Sequence, residues 1–247
     1  MIPILIGYDP REACVNSVLE HSLISHSSEP LALIPLHSPL LGNFDGQQDG
    51  TNAFIYSRFL ACELMDFGGW AIYMDSDMML RADIKELWDL RDDSKAVMVV
   101  KHDYETVATK KFVGTPIEAK NESYPRKNWS SLILWNCGHP KNKILTREFV
   151  GTAGGAVLHR FSWLNDDEIG EIPKEWNHLV GEYPYDAKAS NVHFTLGAPG
   201  FKQYYCSDYS EEWHRHLLGA VNMIGEDQDK MMWRAKHGRH LRSISSV

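Results

Sequence analysis

Long apolar runs are missing from this chain. A membrane-spanning helix needs about 20 consecutive apolar residues, and nothing in the sequence approaches that. Cysteine is scarce and scattered. Cys14, Cys62, Cys137 and Cys206 never form a Cys-x-x-Cys pair, which argues against structural zinc and points to reduced core thiols in a cytoplasmic protein. Positive charge is in deficit: 25 Lys and Arg against 33 Asp and Glu leave a net charge of −8, the wrong balance for a general nucleic-acid binder. Internal repeats and low-complexity stretches are absent. So is a charged leader before the first apolar run. Met1-Ile2-Pro3-Ile4-Leu5-Ile6-Gly7 therefore reads as a first strand and not as a signal peptide.

What is present suits one sizeable domain with an appendage: 247 residues, 43% of them hydrophobic, are enough for a single large core. Strand-like and helix-like segments alternate through the first hundred residues. Residues 2–7 and 31–36 read as strands around a helix over 11–25, with Ala13, Val15, Val18, Leu19 and Leu23 inward. A loop over 39–50 precedes helical spacing over 53–67, carrying Phe54, Phe59, Leu60 and Leu64 inward together with Tyr56 and Arg58. Strands follow at 70–74, 97–100, 129–135 and 192–195, with a polar surface excursion over 101–128. A short helix or turn is expected at 166–168. A helix over 210–224 has Ser207, Asp208 or Ser210 available as caps. The βαβ order predicts an α/β protein with a mostly parallel central sheet flanked by helices. Of the eight tryptophans, Trp163 and Trp176 are read as core residues ahead of sugar-stacking platforms.

The chemistry concentrates in Trp70-Ala71-Ile72-Tyr73-Met74-Asp75-Ser76-Asp77. A buried parallel strand ends in two carboxylates, at the strand end where open α/β sheets bind their ligands. Two such carboxylates repel unless something neutralises them. A hard divalent cation, shared with phosphate oxygens, does so most simply. The plain alternative is a pair of solvated loop aspartates, one of them capping a helix.

At this point the sequence resembles the retaining glycosyltransferases of the family-8 type, which have the GT-A fold. Four pieces over residues 2–202 carry the resemblance, in the family's order: Gly7-Tyr8-Asp9; Tyr56-Ser57-Arg58-Phe59 with Asp75-Ser76-Asp77 and Asp83-Ile84-Lys85-Glu86-Leu87-Trp88; Trp163-Leu164-Asn165-Asp166-Asp167; and His193-Phe194-Thr195-Leu196-Gly197. The resemblance implies a GT-A domain over residues 1–205 and a helical, basic C-terminal extension over 206–247. It implies a hexosyltransferase that uses a nucleotide-diphosphate sugar, UDP-sugar first, and works with retention. Asp75, Asp77 and His193 would be metal ligands. The imidazole favours Mn²⁺ over Mg²⁺, because nitrogen ligands suit transition metals. Tyr8 and Asp9 would meet the base and ribose. Asp75, Ser76, Asp77, Gly197 and Lys202 would surround the diphosphate, with Asp166, Asp167 and Arg58 near the reacting sugar. Arg58 also reads as a helix-surface arginine, and Asp9 as a helix cap.

Departures from the family pattern matter. Trp129-Ser130-Ser131 stands where the family often has Asn-Ser-Gly near the donor sugar, so donor choice stays open. The late glycine turn lacks the family's usual lysine, leaving Lys202 as the candidate. The acceptor is a glycan, a lipid-linked molecule or a small molecule. The basic tail from Lys230, interspersed with Met231, Met232 and Trp233, is a candidate for peripheral membrane contact. Two other classes compete. A haloacid-dehalogenase-type phosphatase also has a DxD after a strand, but normally on its first strand and with a later acidic pair. A non-catalytic sugar-nucleotide-binding module would not need the intact acidic set.

Overall fold

The structure, a computed structural model, describes residues 1–37, 41 and 54–221. Most of the loop over 39–50, the end of the helix expected over 210–224, and the basic tail lie outside the described residues.

The central sheet has six strands. β1 (Ile2–Gly7), β2 (Leu31–Leu36), β3 (Trp70–Met74), β5 (Val97–Val99), β8 (Leu132–Asn136) and β9 (Ile169–Glu171) lie in the order β2-β1-β3-β8-β5-β9. β8 runs antiparallel to both its neighbours, and the remaining pairs are parallel. The strands read as continuous apolar runs because both faces are covered. Alternate residues serve two cores: Leu5, Tyr73, Val97, Ile133 and Trp135 on one face, Ile4, Ile6, Ile72, Met74 and Leu134 on the other. The reversed β8 brings its amino-terminal end, Ser130-Ser131, to the edge where β1, β3 and β5 present their carboxyl ends.

A smaller sheet, β10 (His178–Leu179), β11 (Asn191–His193) and β4 (Met78–Leu80), stands beside it. β11 pairs antiparallel with β4, His193 opposite Met78. α1 (Ala13–His26) buries Val15, Val18, Leu19 and Leu23, whereas Ala13 is exposed because a 3₁₀ turn over Pro10–Glu12 offsets the helix start. Ser22 Oγ accepts from Leu80 N at 3.0 Å and ties α1 to β4. α3 (Ser210–Ala220) packs on α1, with Trp213 and Leu217 against Val15 and Val18.

Several local expectations change. The helix expected over 53–67 is a 3₁₀ turn, Ser57–Leu60, followed by the short α2 (Ala61–Leu64). Asp66 and Phe67 adopt left-handed φ of 52° and 51° and stop it early, which leaves Leu64 39% exposed. α3 takes no side-chain cap from Ser207, Asp208 or Ser210; its N-cap is Tyr209, itself left-handed at φ 60°. The excursion over 101–128 is only partly surface. It carries the hairpin β6 (Lys110–Lys111) and β7 (Ala119–Lys120), and it buries His102, Phe112, Asn121 and Lys127. Asn121 Nδ2 donates to Glu182 Oε1 at 2.7 Å and Lys127 Nζ to Asn121 Oδ1 at 2.7 Å, giving the buried polar groups partners. All four cysteines are free; Cys62 and Cys137 are core residues, Cys14 is exposed and Cys206 half-buried. Trp176 is buried and Trp163 packs against the core. Among the described residues no helix is long and apolar enough to cross a membrane.

Candidate active site

The carboxylate pair sits at the carboxyl end of β3, between the two sheets. Backbone bonds fix it from both sides: Asp75 N donates to Ser131 O at 2.9 Å, and Phe194 N to Asp77 O at 2.8 Å. The second bond, with the β4–β11 register, delivers His193 beside Asp77. Ligand atoms of Asp75, Asp77 and His193, all buried, lie within 4.8 Å of one another.

Each carboxylate has its own environment. Asp75 accepts from Tyr73 Oη at 2.6 Å, and the Arg58 guanidinium straddles it, with Nη2 3.0 Å from Oδ1 and Nη1 3.3 Å from Oδ2. Arg58 Nη1 also donates to Ser130 O at 2.8 Å. Its guanidinium carbon lies 5.1 Å and 5.6 Å from the Tyr73 and Phe54 ring centres. Arg58 is thus buried under the site and not on a helix surface. Burial pushes the Asp75 carboxyl up, Arg58 pulls it back, and the net direction is upward. Burial alone would raise Asp77 too, but positive charge at His193 and then at Lys111 holds it below the ordinary carboxylate range.

The residues present fit a divalent cation. His193 Nδ1 is 3.0 Å from Asn177 Oδ1, an acceptor that holds a proton on Nδ1 and turns Nε2 toward Asp77 as the ligand atom. Asn177 is held in turn by donating to Ser131 Oγ at 2.8 Å. Nε2 lies 3.2 Å from Asp77 Oδ1, yet that oxygen is buried without a hydrogen bond. A buried anionic oxygen and an imidazole Nε2 converge on one point, and a cation there would satisfy both in place of a proton.

A cavity of about 140 Å³ opens on this cluster, lined by Arg58, Asp75, Asp77 and His193 together with Lys111, Asn128 and Ser130 among others. His159 also faces it; burial first, then Arg58 and Lys111, push its imidazole down to about 3, so it is neutral, with Nδ1 2.7 Å from Ser130 Oγ. A larger cavity of about 570 Å³ lies nearby, with His102, His178, Tyr183, Tyr185 and Asp186 in its wall. The two are linked by contact: Asn128 Nδ2 donates to Tyr104 Oη at 2.9 Å, and the Tyr104 ring meets Tyr183 edge-on at 5.4 Å.

Other expected residues are placed differently. Ser76 is fully buried between the two aspartates, and its hydroxyl has no partner. Tyr8 is half-buried, edge-on to His37 at 5.2 Å, at the end of β1 next to β3. Asp9 is buried, accepts from Arg11 N at 2.9 Å and pairs with the Arg11 side chain, so it does cap the turn before α1. Gly197 has φ 144°, and a Cβ there would lie 2.4 Å from the Tyr204 ring, so the late turn requires glycine. Lys202 is exposed and absent from the cavity wall. Asp166 and Asp167 are exposed on a 3₁₀ turn held by the Asn165–Glu168 capping box. Asp166 pairs with Arg126, and neither aspartate lines the cavity. The reason is topological: the turn precedes β9, which runs parallel to β5, and so lies at the amino-terminal edge of the sheet.

Sequence reasoning missed Lys111, Asn128, His159 and Asn177. Two basic pairs inside the 101–128 excursion, Lys110-Lys111 and Arg126-Lys127, were the available signal, since that excursion leaves the carboxyl end of β5. It also missed Glu12, which is 2% exposed with neither carboxylate oxygen hydrogen-bonded. Burial first, then the charges of Asp77 and Asp9, raise its carboxyl to about 8.

Known proteins agree with this architecture. Residues 18–138 match the model of Glycosyl transferase family 8. Protein CDI of Arabidopsis thaliana is 44% identical over 221 residues, covering 85% of this chain and 83% of that protein. Among solved structures, the bifunctional glycosyltransferase WbbM in its apo form superposes with a TM-score of 0.62 at 13% identity. The match covers 95% of this chain and 52% of WbbM, so the chain spans about half of that protein. The galactosyltransferase LgtC, solved with donor and acceptor sugar analogues, gives 0.56 at 11% identity over 93% of this chain and 100% of LgtC. GlyE of Streptococcus pneumoniae TIGR4 gives 0.56 at 13% identity, over 96% and 64%. The fold they share is GT-A, and in it the DxD follows the third strand and not the first, as a haloacid-dehalogenase-type phosphatase would require. Fold, strand-end acidic pair and sequence relationship converge: the chain is a glycosyltransferase and belongs to glycosyl transferase family 8.

Proposed function

We propose that this enzyme moves a hexose from a UDP-sugar to a hydroxyl acceptor, depends on a divalent cation, Mn²⁺ first, and retains the anomeric configuration. The observation that carries the reading is the buried set of Asp75, Asp77 and His193 with an unsatisfied Asp77 oxygen at the mouth of the cavity. When bound there, the cation acts as a Lewis acid on the donor diphosphate.

The chain's own residues supply the rest. Arg58 and Tyr73 fix the Asp75 carboxylate, and Asn177 fixes the His193 tautomer, so no reorganisation is needed when charge develops. Tyr8 and Asp9, one strand away, are the candidates for the nucleoside. Among the described residues, the cavity wall holds no carboxylate beyond the two proposed ligands. Asp166 and Asp167 therefore do not supply a nucleophile for a covalent intermediate. Retention follows instead from attack on the face that the diphosphate leaves. The anomeric C–O bond to phosphate breaks, the acceptor oxygen bonds to the same face, and the acceptor proton passes to the departing phosphate oxygen. The acceptor fits the larger cavity, where the tyrosine faces and the buried His102 and His178 Nε2 atoms, both without partners, suit a hydroxyl-rich molecule.

Calorimetry of UDP binding with Mn²⁺ and with EDTA tests the reading, using Asp77→Ala as the control. Binding should require the metal and vanish in the variant. UDP binding of equal strength in EDTA removes the metal from the reading; an inverted product anomer by NMR removes retention.

A further inference from the structure

The cavity lacks a lysine where the family pattern would supply one, because Lys202 is exposed and outside its wall. A different lysine occupies that wall. In the β6 strand, neighbouring side chains point to opposite faces. Lys110 faces solvent and pairs with Glu118 at 2.6 Å, while Lys111 faces inward and lines the cavity with Asp75, Asp77 and His193. Two contacts hold Lys111 in place: Phe112 N donates to Leu196 O at 2.6 Å, and Val113 N to Tyr204 Oη at 2.9 Å. The hairpin is thereby fastened to the late glycine turn.

The charge balance calls for such a group. Among the described residues, Arg58 is the other cationic side chain in the wall, and it is committed to Asp75 and to Ser130 O. Lys111 forms no ion pair of its own among the described residues, although Asp77 and then Asp75 are the carboxylates whose charges act on it most strongly. A departing nucleoside diphosphate gains one negative charge as the sugar–phosphate bond breaks. A compact ammonium held in place in the cavity wall stabilises that charge without reorganising.

Building on the UDP-sugar reading above, we propose that Lys111 is a catalytic residue that contacts the terminal phosphate of the donor and neutralises it as it leaves. It thus replaces, from the 101–128 excursion, the lysine that the late turn lacks.

The test compares UDP with UMP, which lacks the terminal phosphate. Calorimetry with Mn²⁺ is run on wild type, Lys111→Met, Lys111→Gln and Lys110→Met. UDP affinity should fall about ten- to hundredfold in the Lys111 variants, with UMP affinity held within about twofold. kcat should fall about a hundredfold or more while the acceptor KM is unchanged. Lys110→Met should behave as wild type. Lys111→Gln keeps the test open if the Met variant does not fold. If wild type binds UDP tightly and a folded Lys111 variant matches it in UDP affinity and kcat, the role of Lys111 is refuted and the donor reading stands. If wild type itself binds no UDP with Mn²⁺, the donor reading fails and takes this proposal with it.

Discussion

Replacing Glu12 by glutamine should stabilise the metal-free protein at pH 8 and leave it nearly unchanged at pH 5. In the folded state the Glu12 carboxyl titrates near 8, because it is buried and faces Asp77 and Asp9. In the unfolded chain it titrates near 4.5. Between those values folding takes up a proton, so the stability due to this group is intact below pH 4.5 and is lost as pH rises toward 8. At about 1.36 kcal/mol per pH unit the full loss is on the order of 5 kcal/mol, an upper bound because the surroundings relax. Glutamine resembles the protonated acid in shape and also lacks a partner here, so the pH 5 difference stays within about 1 kcal/mol. Urea unfolding in EDTA, at both pH values and for both proteins, isolates the effect because every other titrating group cancels in the double difference. A variant-minus-wild-type stability that is the same at pH 5 and pH 8, within about 0.5 kcal/mol, refutes the reasoning.

Other substitutions test other parts of the site. Asn177→Ala releases His193 Nδ1 and should weaken Mn²⁺ binding about ten- to hundredfold by calorimetry, with the fold intact by circular dichroism. Asp167→Asn should leave kcat within about twofold, since its side chain lies outside the cavity, and Asp166→Ala should cost less than about 1 kcal/mol, the usual worth of an exposed ion pair. A tenfold loss of kcat in either would return those residues to the reacting centre. Gly197→Ala drives a methyl group into the Tyr204 ring and should lower stability by about 2 kcal/mol or more, read as a drop in melting temperature.

The parts of the molecule that could be read from sequence are those whose signal is local. β1, β2 and β3 are apolar runs closed by turn residues, and Asp75 and Asp77 stand directly after the third. His193 was legible because a glycine turn follows it. Arg58 is a candidate from its motif, but whether it lies at the surface or under the site depends on Asp75 and Ser130 closing over it, contacts that no spacing encodes. Lys111 and Asn177 were out of reach for the same reason: each matters because of a partner brought in from a distant segment. Asp166 and Asp167 show the opposite failure. Their motif sits at the family's place in the order of the chain, but the direction of β9 puts the turn at the wrong edge of the sheet.

The β4–β11 ladder also has a kinetic consequence. It joins Asp77 and His193, 116 residues apart in the chain, through a few rungs of antiparallel pairing. Such a contact closes a long loop, and long-range closures of this kind form slowly. A cation bridging the two side chains would act as a rivet across that ladder. It would slow the ladder's opening without being needed to align the six-stranded sheet. Hydrogen exchange at Phe194 N, which bonds to Asp77 O, would report the rivet directly, with protection rising on metal addition while amides in β1 and β3 keep their metal-free rates.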